Sequence, residues 1–275
     1  MKQRSILFTK MAGAGNDFIV IDAKKGIDYK QLTKKICDRT NGIGADGLLI
    51  CDKSRKSDYK MRIINADGSE AEMCGNGARC LASYIVKNKK PKGKNFSIET
   101  LAGTIIATAK GEVAHVRLSQ PKGHRPNIPL TINGQKIHVH YINTGVPHVI
   151  VYVDDLNKVD VKTIGNAIRF HKKFKPRGAN VNFVEQIKNG LVAVRTYERG
   201  VEDETKACGT GSVAAAIVSY LQANPGITSK EKASMKVLTQ SGETLNTQFD
   251  LTEGGIENVW LKGSAIFIAE GNFLY

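Results

Sequence analysis

Two short blocks of this chain, Met73-Cys74-Gly75-Asn76-Gly77 and Ala207-Cys208-Gly209-Thr210-Gly211, repeat one another at a separation of 134 residues, counted from Cys74 to Cys208. Other landmarks keep nearly the same offset. Gly13 to Asp22 corresponds to Gly145 to Asp154, and Gly44 to Ile50 to Gly178 to Val184. Tyr59 to Gly68 lines up with Leu191 to Gly200, and Thr100 to Thr104 with Thr239 to Glu243. One such match carries little weight, but five in the same order mark an internal duplication, and a repeat decides the architecture before any single element does. The 275 residues are room for one large domain or two modest ones at about 150 residues each.

Each copy reads as a Gly-containing loop, a strand, a short helix, two or more strands, a helix headed by the cysteine, and further strands. Alternating stretches at Ile105 to Leu118, Gln135 to Ile142, Leu191 to Thr196 and Ile256 to Ile268 support β-structure around those helices. The expected fold class is α+β: two pseudo-symmetric domains, each a curved, mostly antiparallel sheet around a central helix, with the active site in the cleft between them. Pro121 to Pro129, which holds three of the seven prolines, reads as the linker. The last strand, near Phe267 to Tyr275, falls past the end of the second copy and is expected to return to the first. The expected domains are therefore 1–122 with 266–275, and 123–265. The second helix, Val213 to Leu221, is apolar nearly all round and reads as enclosed by protein. The first reads as more amphipathic, with Ala78, Leu81, Ala82 and Ile85 on one stripe and Arg79, Ser83 and Lys87 elsewhere.

A cysteine in front of Gly-x-Gly at a helix mouth has a physical use. The first helical turn carries N–H groups without helical partners and a positive dipole end, so it attracts anions and lowers the pKa of a neighbouring thiol. Gly75, Gly77, Gly209 and Gly211 let a ligand approach that backbone. A lone Cys-Gly pair would more simply be a small core residue at a tight turn; the duplication favours the functional reading. Cys37, Cys51 and Cys80 lack a glycine-rich helix mouth and read as core. No cysteine or histidine spacing matches a zinc site, and neither a phosphate-binding Walker loop nor a dinucleotide fingerprint is present.

Composition removes several other classes. Apolar residues at 41% and charged residues at 24% are the proportions of an ordinary globular chain. The formal net charge of +14 invites a nucleic-acid reading, but no helix-turn-helix, aromatic RNP signature or finger spacing accompanies it. The basic clusters at Lys87 to Lys94 and His171 to Arg177 read as solvated loops, so specific nucleic-acid binding is not expected. The most apolar segment, Val213 to Leu221, is far short of the roughly 20 residues that span a bilayer. With no leader pattern at the start, a cytoplasmic location is the expectation.

Two pseudo-symmetric thiols suggest chemistry with mirror character. If an α-carbon lies between them, one thiolate removes its proton from one face while the other thiol delivers a proton to the opposite face, which inverts the stereocentre. The helix mouths would hold the α-carboxylate and the charge that develops on it, so no cofactor is required.

These residues resemble the diaminopimelate epimerase family of cofactor-independent, two-base epimerases. The resemblance rests on Phe8 to Phe18, Asn65 to Arg79 and Tyr197 to Gly211, and covers essentially the whole chain. It implies interconversion of LL- and meso-2,6-diaminopimelate for lysine and peptidoglycan synthesis. Cys74 and Cys208 fall on the family's acid/base cysteines. Gly75, Asn76, Gly209 and Thr210 fall on its carboxylate-binding amides, and Asn16, Asn65, Asn180, Glu198 and Arg199 on positions that bind the amino and distal groups. His148 matches a histidine that helps set a cysteine's pKa, and Glu198 is assigned the same tuning for the other thiol. The implied partner is a small diamino diacid, with no specific nucleic acid and no membrane, and with room for a homodimer. Two departures stand out: Val146-Pro147-His148 where some members carry Asn-Pro-His, and Asp46-Gly47 where some carry Asp-Gln. The rival readings are a proline- or hydroxyproline-type or broad amino-acid racemase on the same scaffold, and a non-catalytic basic protein that binds RNA or a partner.

Overall fold

The computed structural model describes residues 4–227 and 230–275. The chain forms two compact units, one from residues 1–117 with 262–275 and the other from 118–261. In the first unit lie β1 (Ser5–Gly13), β2 (Asn16–Asp22), α1 (Tyr29–Ile36), β3 (Gly47–Asp52), β4 (Tyr59–Asn65) and β5 (Glu70–Ala71), then α2 (Gly75–Lys89), β6 (Phe96–Thr100), β7 (Gly103–Lys110) and β8 (Val113–Arg117). The second unit begins with β9 (Lys122–Ile132), β10 (Gln135–Asn143), β11 (Pro147–Tyr152), α3 (Val161–Arg169), β12 (Asn180–Lys188) and β13 (Leu191–Glu198). It continues through β14 (Asp203–Thr205), α4 (Gly209–Ala223), β15 (Glu231–Thr239), β16 (Thr244–Thr252) and most of β17 (Gly255–Ser264), before β18 (Ile266–Leu274) returns to the first unit.

The duplication appears directly in the strand order. In the first unit the strands stand β18, β1, β2, β3, β4, β6, β7, β8. Their joints run antiparallel, antiparallel, parallel, antiparallel, parallel, antiparallel, antiparallel. In the second the order is β9, β10, β11, β12, β13, β15, β16, and the joints repeat the first six of those signs. The last strand of the chain therefore holds in the first unit the place that β9 holds in the second. Each sheet is mostly antiparallel, and each parallel joint needs a crossover. α1 and α3 make the first crossover of their units, and α2 and α4 the second.

Crossover helices lie flat on a sheet, which explains how deeply the two cysteine-headed helices are buried. α4 is enclosed over Gly211 to Ser219, as its all-round apolar sequence predicts. α2 is enclosed without a break from Gly75 to Ile85, a wider burial than its amphipathic pattern suggests. The difference lies in Arg79, which is fully buried and donates to the carbonyls of Gly75 and Ser264 and to Asn76 Oδ1. A guanidinium supplied with acceptors can sit in an interior that a bare charge could not enter. On the other face of each sheet a separate apolar cluster forms. α1 covers it with Leu32 and Ile36 against Ile19, Ile21, Leu48 and Ile50, and α3 with Val161 and Ile168 against Val149, Val181 and Phe183. Asp28 and Asp160 start these helices by accepting from backbone amides of the first turn.

The proline-rich segment expected as a linker is instead part of β9, paired antiparallel with β10 from Lys122 to Ile132. β9 is the outermost strand of its ladder, where a missing N–H breaks no inner hydrogen bond. The short β4–β5 and β13–β14 hairpins carry matching clamps. Arg62 Nε and Nη2 donate to Glu70 at 2.7 and 3.1 Å, and Arg195 Nε and Nη2 donate to Glu204 at 2.7 Å each. Such forked pairs fix direction as well as distance. Among the described residues, no helix is long and apolar enough to cross a membrane.

One packing contact supplies a stability prediction. A Cβ on Gly165 of α3 would stand 2.6 Å from Tyr197 Cβ on β13. Alanine gains about 1 kcal/mol of helix propensity over glycine, whereas overpacking a tight core contact costs about 1–3 kcal/mol. Gly165→Ala is therefore expected to lower the urea midpoint of unfolding; a raised midpoint would show that α3 can shift without cost.

Candidate active site

In each unit the candidate residues gather where three strand ends meet a helix start. β11 and β12 are parallel, so their first residues lie at one end of the sheet, and antiparallel β13 brings its last residue to the same end. His148, Asn180 and Glu198 are those strand-end residues, with α4 beginning beside them at Gly209. The first unit repeats the arrangement with the starts of β2 and β3 and the end of β4, which place Asn16, Gly47 and Asn65 at one end, with α2 beginning at Gly75.

Cys74 is the N-cap of α2 in an extended conformation, φ −140° and ψ 120°, and its Sγ accepts from Gly77 N at 3.4 Å. The first intrahelical bond runs from Ala78 N to Cys74 O, so the amides of Gly75 and Asn76 precede it. Gly77 permits close seating, since a Cβ there would stand 3.0 Å from Leu49 Cδ2 of β3. The Asn76 side chain is buried and donates to Asn16 Oδ1 at 2.7 Å, while Asn16 Nδ2 donates to Asp46 Oδ2 at 2.9 Å. Behind them stand Asp17, Lys10 and Arg39. Arg39 reaches both Asp17 at 2.8 Å and Asp46 at 2.7 Å, and Lys10 pairs with Asp17 at 2.6 Å. Lys10 Nζ also donates to the Gly44 carbonyl. Burial alone would raise the Asp17 carboxyl, but hydrogen bonds and charge from Arg39 and Lys10 override it and hold the pKa at about 2. A charged, fully engaged cluster thus orients Asn16, Asn16 holds Asn76, and Asn76 and Arg79 hold the first turn of α2.

Cys208 is the N-cap of α4, also extended, with φ −115° and ψ 112°. Its Sγ lies 3.5 Å from Thr210 Oγ1, which in turn lies 3.0 Å from His148 Nε2. His148 is fully buried. Burial first, then the nearby Arg199 cation, push its pKa down to about 3 against the opposing hydrogen bond from Asn182, so the ring is neutral near pH 7. Burial also raises the Glu198 carboxyl above its ordinary range, opposed by the Thr205 hydroxyl, which donates to Oε2 at 3.0 Å. Asn180 accepts from Arg199 N at 2.7 Å and donates to the Pro147 carbonyl at 3.3 Å. It thereby ties the Arg199 backbone to the strand that carries His148.

The structure gathers Cys74, Gly75, Asn76 and Asn16 in the first unit. In the second it gathers Cys208, Gly209, Thr210, His148, Asn180, Glu198 and Arg199. Asn65 shares its strand end with the first set, but it is exposed and its amide donates to Ser69 Oγ at 3.0 Å inside its own turn. Of the two departures from the family pattern, Gly47 has a packing reason: a Cβ there would stand 2.8 Å from the Ile64 carbonyl. Cys37, Cys51 and Cys80 are buried as the sequence indicates, and burial pushes the first two up to about 12. Sequence reasoning passes over Asn182, which is fully buried beside His148. The signal was present: Asn180 and Asn182 are two polar residues on one face of a strand whose neighbours Val181, Phe183 and Val184 are apolar. It also passes over the cluster of Lys10, Asp17, Arg39 and Asp46, whose members come from separate segments with no diagnostic spacing.

The model of the family described as diaminopimelate epimerase matches residues 8–121 and 140–261, two segments that contain Cys74 and Cys208 respectively. The diaminopimelate epimerase of Aquifex aeolicus (strain VF5) is 41% identical over 278 residues, covering 96% of each chain. That of Methanocella arvoryzae (strain DSM 22066 / NBRC 105507 / MRE50) is 45% identical over 233 residues, 78% of this chain and 82% of its own. Among solved structures, a phenazine biosynthesis protein of the PhzF family from Bacillus anthracis superposes with a TM-score of 0.76 at 16% identity, covering 99% of this chain and 100% of its own. A probable proline racemase from Agrobacterium radiobacter K84 superposes with a TM-score of 0.71 at 13% identity, covering 97% and 92%. At those identities the likeness is one of fold. The repeated strand order, a cysteine capping the second crossover helix of each unit and the full-length relatives agree, and the chain belongs to the diaminopimelate epimerase family.

Proposed function

We propose that this chain is an isomerase that interconverts LL- and meso-2,6-diaminopimelate by two-base proton transfer at the α-carbon, supplying lysine and peptidoglycan synthesis. The observation that carries this reading is the twice-built helix start, with Cys74 capping α2 and Cys208 capping α4 in the same extended conformation. The two catalytic halves are the two units, each contributing one thiol. A thiolate on one half removes the α-proton while the thiol on the other protonates the opposite face, and the roles exchange in the reverse reaction.

The remaining residues take roles that suit their chemistry. The backbone amides of Gly75, Asn76, Gly209 and Thr210 receive the α-carboxylate and the charge that builds on it as the proton leaves. Arg199 forks onto the distal carboxylate, Glu198 accepts from an ammonium group, and Asn16, Asn65 and Asn180 complete the polar contacts. Glu198 and His148 also tune the thiols. Held neutral by its surroundings, His148 acts as a hydrogen-bonding partner rather than as a cation. The scheme calls for no cofactor and no nucleic acid, and a cytoplasmic homodimer belongs to the same reading.

Incubation with LL-diaminopimelate in deuterated water under reducing conditions is expected to place deuterium at the α-position as the meso isomer appears. Absence of both products would falsify the two-base scheme. Replacing Cys74 or Cys208 by alanine should abolish net epimerisation, by 1000-fold or more at the ~10³-fold scale of a positioned acid/base group. Near-full turnover by a single-thiol variant would defeat the requirement for one group on each face. A third expectation concerns acid stability. His148 is held from its ordinary 6.5 down to about 3 in the fold, so below pH 6.5 the unfolded chain binds a proton that the folded chain does not. Stability from this group is complete above pH 6.5 and lost as the pH falls toward 3. His148→Gln should flatten that acid limb in urea titrations, and an unchanged slope would show that His148 is already charged in the fold.

A further inference from the structure

The amide of Asn182 dictates which way the hydrogen bonds run toward Cys208. Asn182 Nδ2 lies 3.0 Å from the Val149 carbonyl, which can only accept, so that end of the amide is the NH2. Its second hydrogen points at His148 Nδ1, 3.1 Å away, while Oδ1 accepts from Thr196 Oγ1 at 3.0 Å. His148 Nδ1 is therefore an acceptor, and in a neutral ring the proton must sit on Nε2. Nε2–H then donates to Thr210 Oγ1, and the Thr210 hydroxyl proton is left to point at Cys208 Sγ, 3.5 Å away. The Thr210 carbonyl is pinned by Thr144 Oγ1 at 2.9 Å. Gly211 lets the helix start sit on this amide, because a Cβ there would stand 2.2 Å from Asn182 Oδ1.

We infer that Asn182 and the Thr210 hydroxyl are positioning residues that fix His148 as the Nε2–H tautomer and deliver a directed hydrogen bond to the Cys208 sulfur, favouring its thiolate. This deepens the epimerase reading and rests on it in treating Cys208 as an acid/base group. The first unit is built differently at the matching place. There Asn76 bonds to Asn16, Leu49 packs against Gly77, and Cys74 Sγ accepts from a backbone amide. The two thiols of the duplicated chain are thus supported by different donors. Other titratable and charged groups at this end of the second unit include Glu198 and Arg199 at the close of β13, Glu202 and Asp203 in the turn that follows, each in an ion pair with Arg169 or Lys162, and exposed Lys206 ahead of the helix; none of them is altered by the variants below.

The test is the pH dependence of Cys208 alkylation by iodoacetamide in the full-length protein without substrate, read by peptide mass spectrometry, with Cys74 in the same digest as the internal reference. Thr210→Val should raise the Cys208 midpoint by about one pH unit, a tenfold loss of thiolate below the midpoint. Thr210→Ser should restore it, and the Cys74 midpoint should stay in place. A Thr210→Val midpoint equal to that of the unaltered protein, or a Thr210→Ser midpoint as high as that of Thr210→Val, would overturn the relay. Independently, nitrogen-15 spectra of the imidazoles should show His148 protonated on Nε2, and on Nδ1 in Asn182→Asp; an Nδ1–H tautomer in the unaltered protein would also overturn it. Neither readout involves substrate. If both behave as expected while no deuterium enters diaminopimelate, the epimerase reading fails and the relay stands; the converse result removes the relay alone.

Discussion

The seat of a crossover helix on the ends of three strands is the constraint on which everything else in each unit depends. A parallel joint between β4 and β6, or between β13 and β15, obliges the chain to cross the sheet, and the crossing helix is enclosed on all sides. Its first turn then arrives at a fixed place beside the strand ends. Small residues are needed at that turn because the sheet below comes within van der Waals reach, as the Cβ positions for Gly77 and Gly211 demonstrate. The glycines that serve close packing therefore also leave the helix mouth open. Close packing and access to the helix mouth ask for the same residue at the same place in both copies.

Within that shared frame the two halves have diverged in the chemistry behind the thiol. The first unit supports its helix start from a charged cluster, passing from Arg39 and Lys10 through Asp17, Asp46 and Asn16 to Asn76. The second supports its own from a neutral chain, Thr196 to Asn182 to His148 to Thr210. The backbone is shared by the two copies, and the contacts behind the thiol are not.

Much of this was legible in the sequence because it was written twice. The cysteine-headed helices, the shorter helix in each half and the return of the last strand all follow from the offset between copies, and the site residues around Cys208 follow from the family resemblance. What stayed illegible was whatever depends on long-range partners. Arg79 reads as the polar face of an amphipathic helix until the carbonyl of Ser264, distant in sequence, comes to accept from it. Pro126 and Pro129 read as punctuation because a proline's cost depends on whether its strand is inner or outermost, which local sequence does not state. Asn182 goes unremarked in the sequence, because only the orientation of its amide ties it to a histidine and a carbonyl.

The pairing of β18 with β1 has a consequence for how the molecule comes into being. Arg4 and Tyr275 exchange backbone hydrogen bonds, with Arg4 N donating to Tyr275 O at 3.1 Å and Tyr275 N to Arg4 O at 2.9 Å. The first unit, although begun first, lacks the strand that pairs with β1 until residues 266–274 are made, after all of residues 118–261 that form the second unit. Synthesis order and completion order are thus reversed.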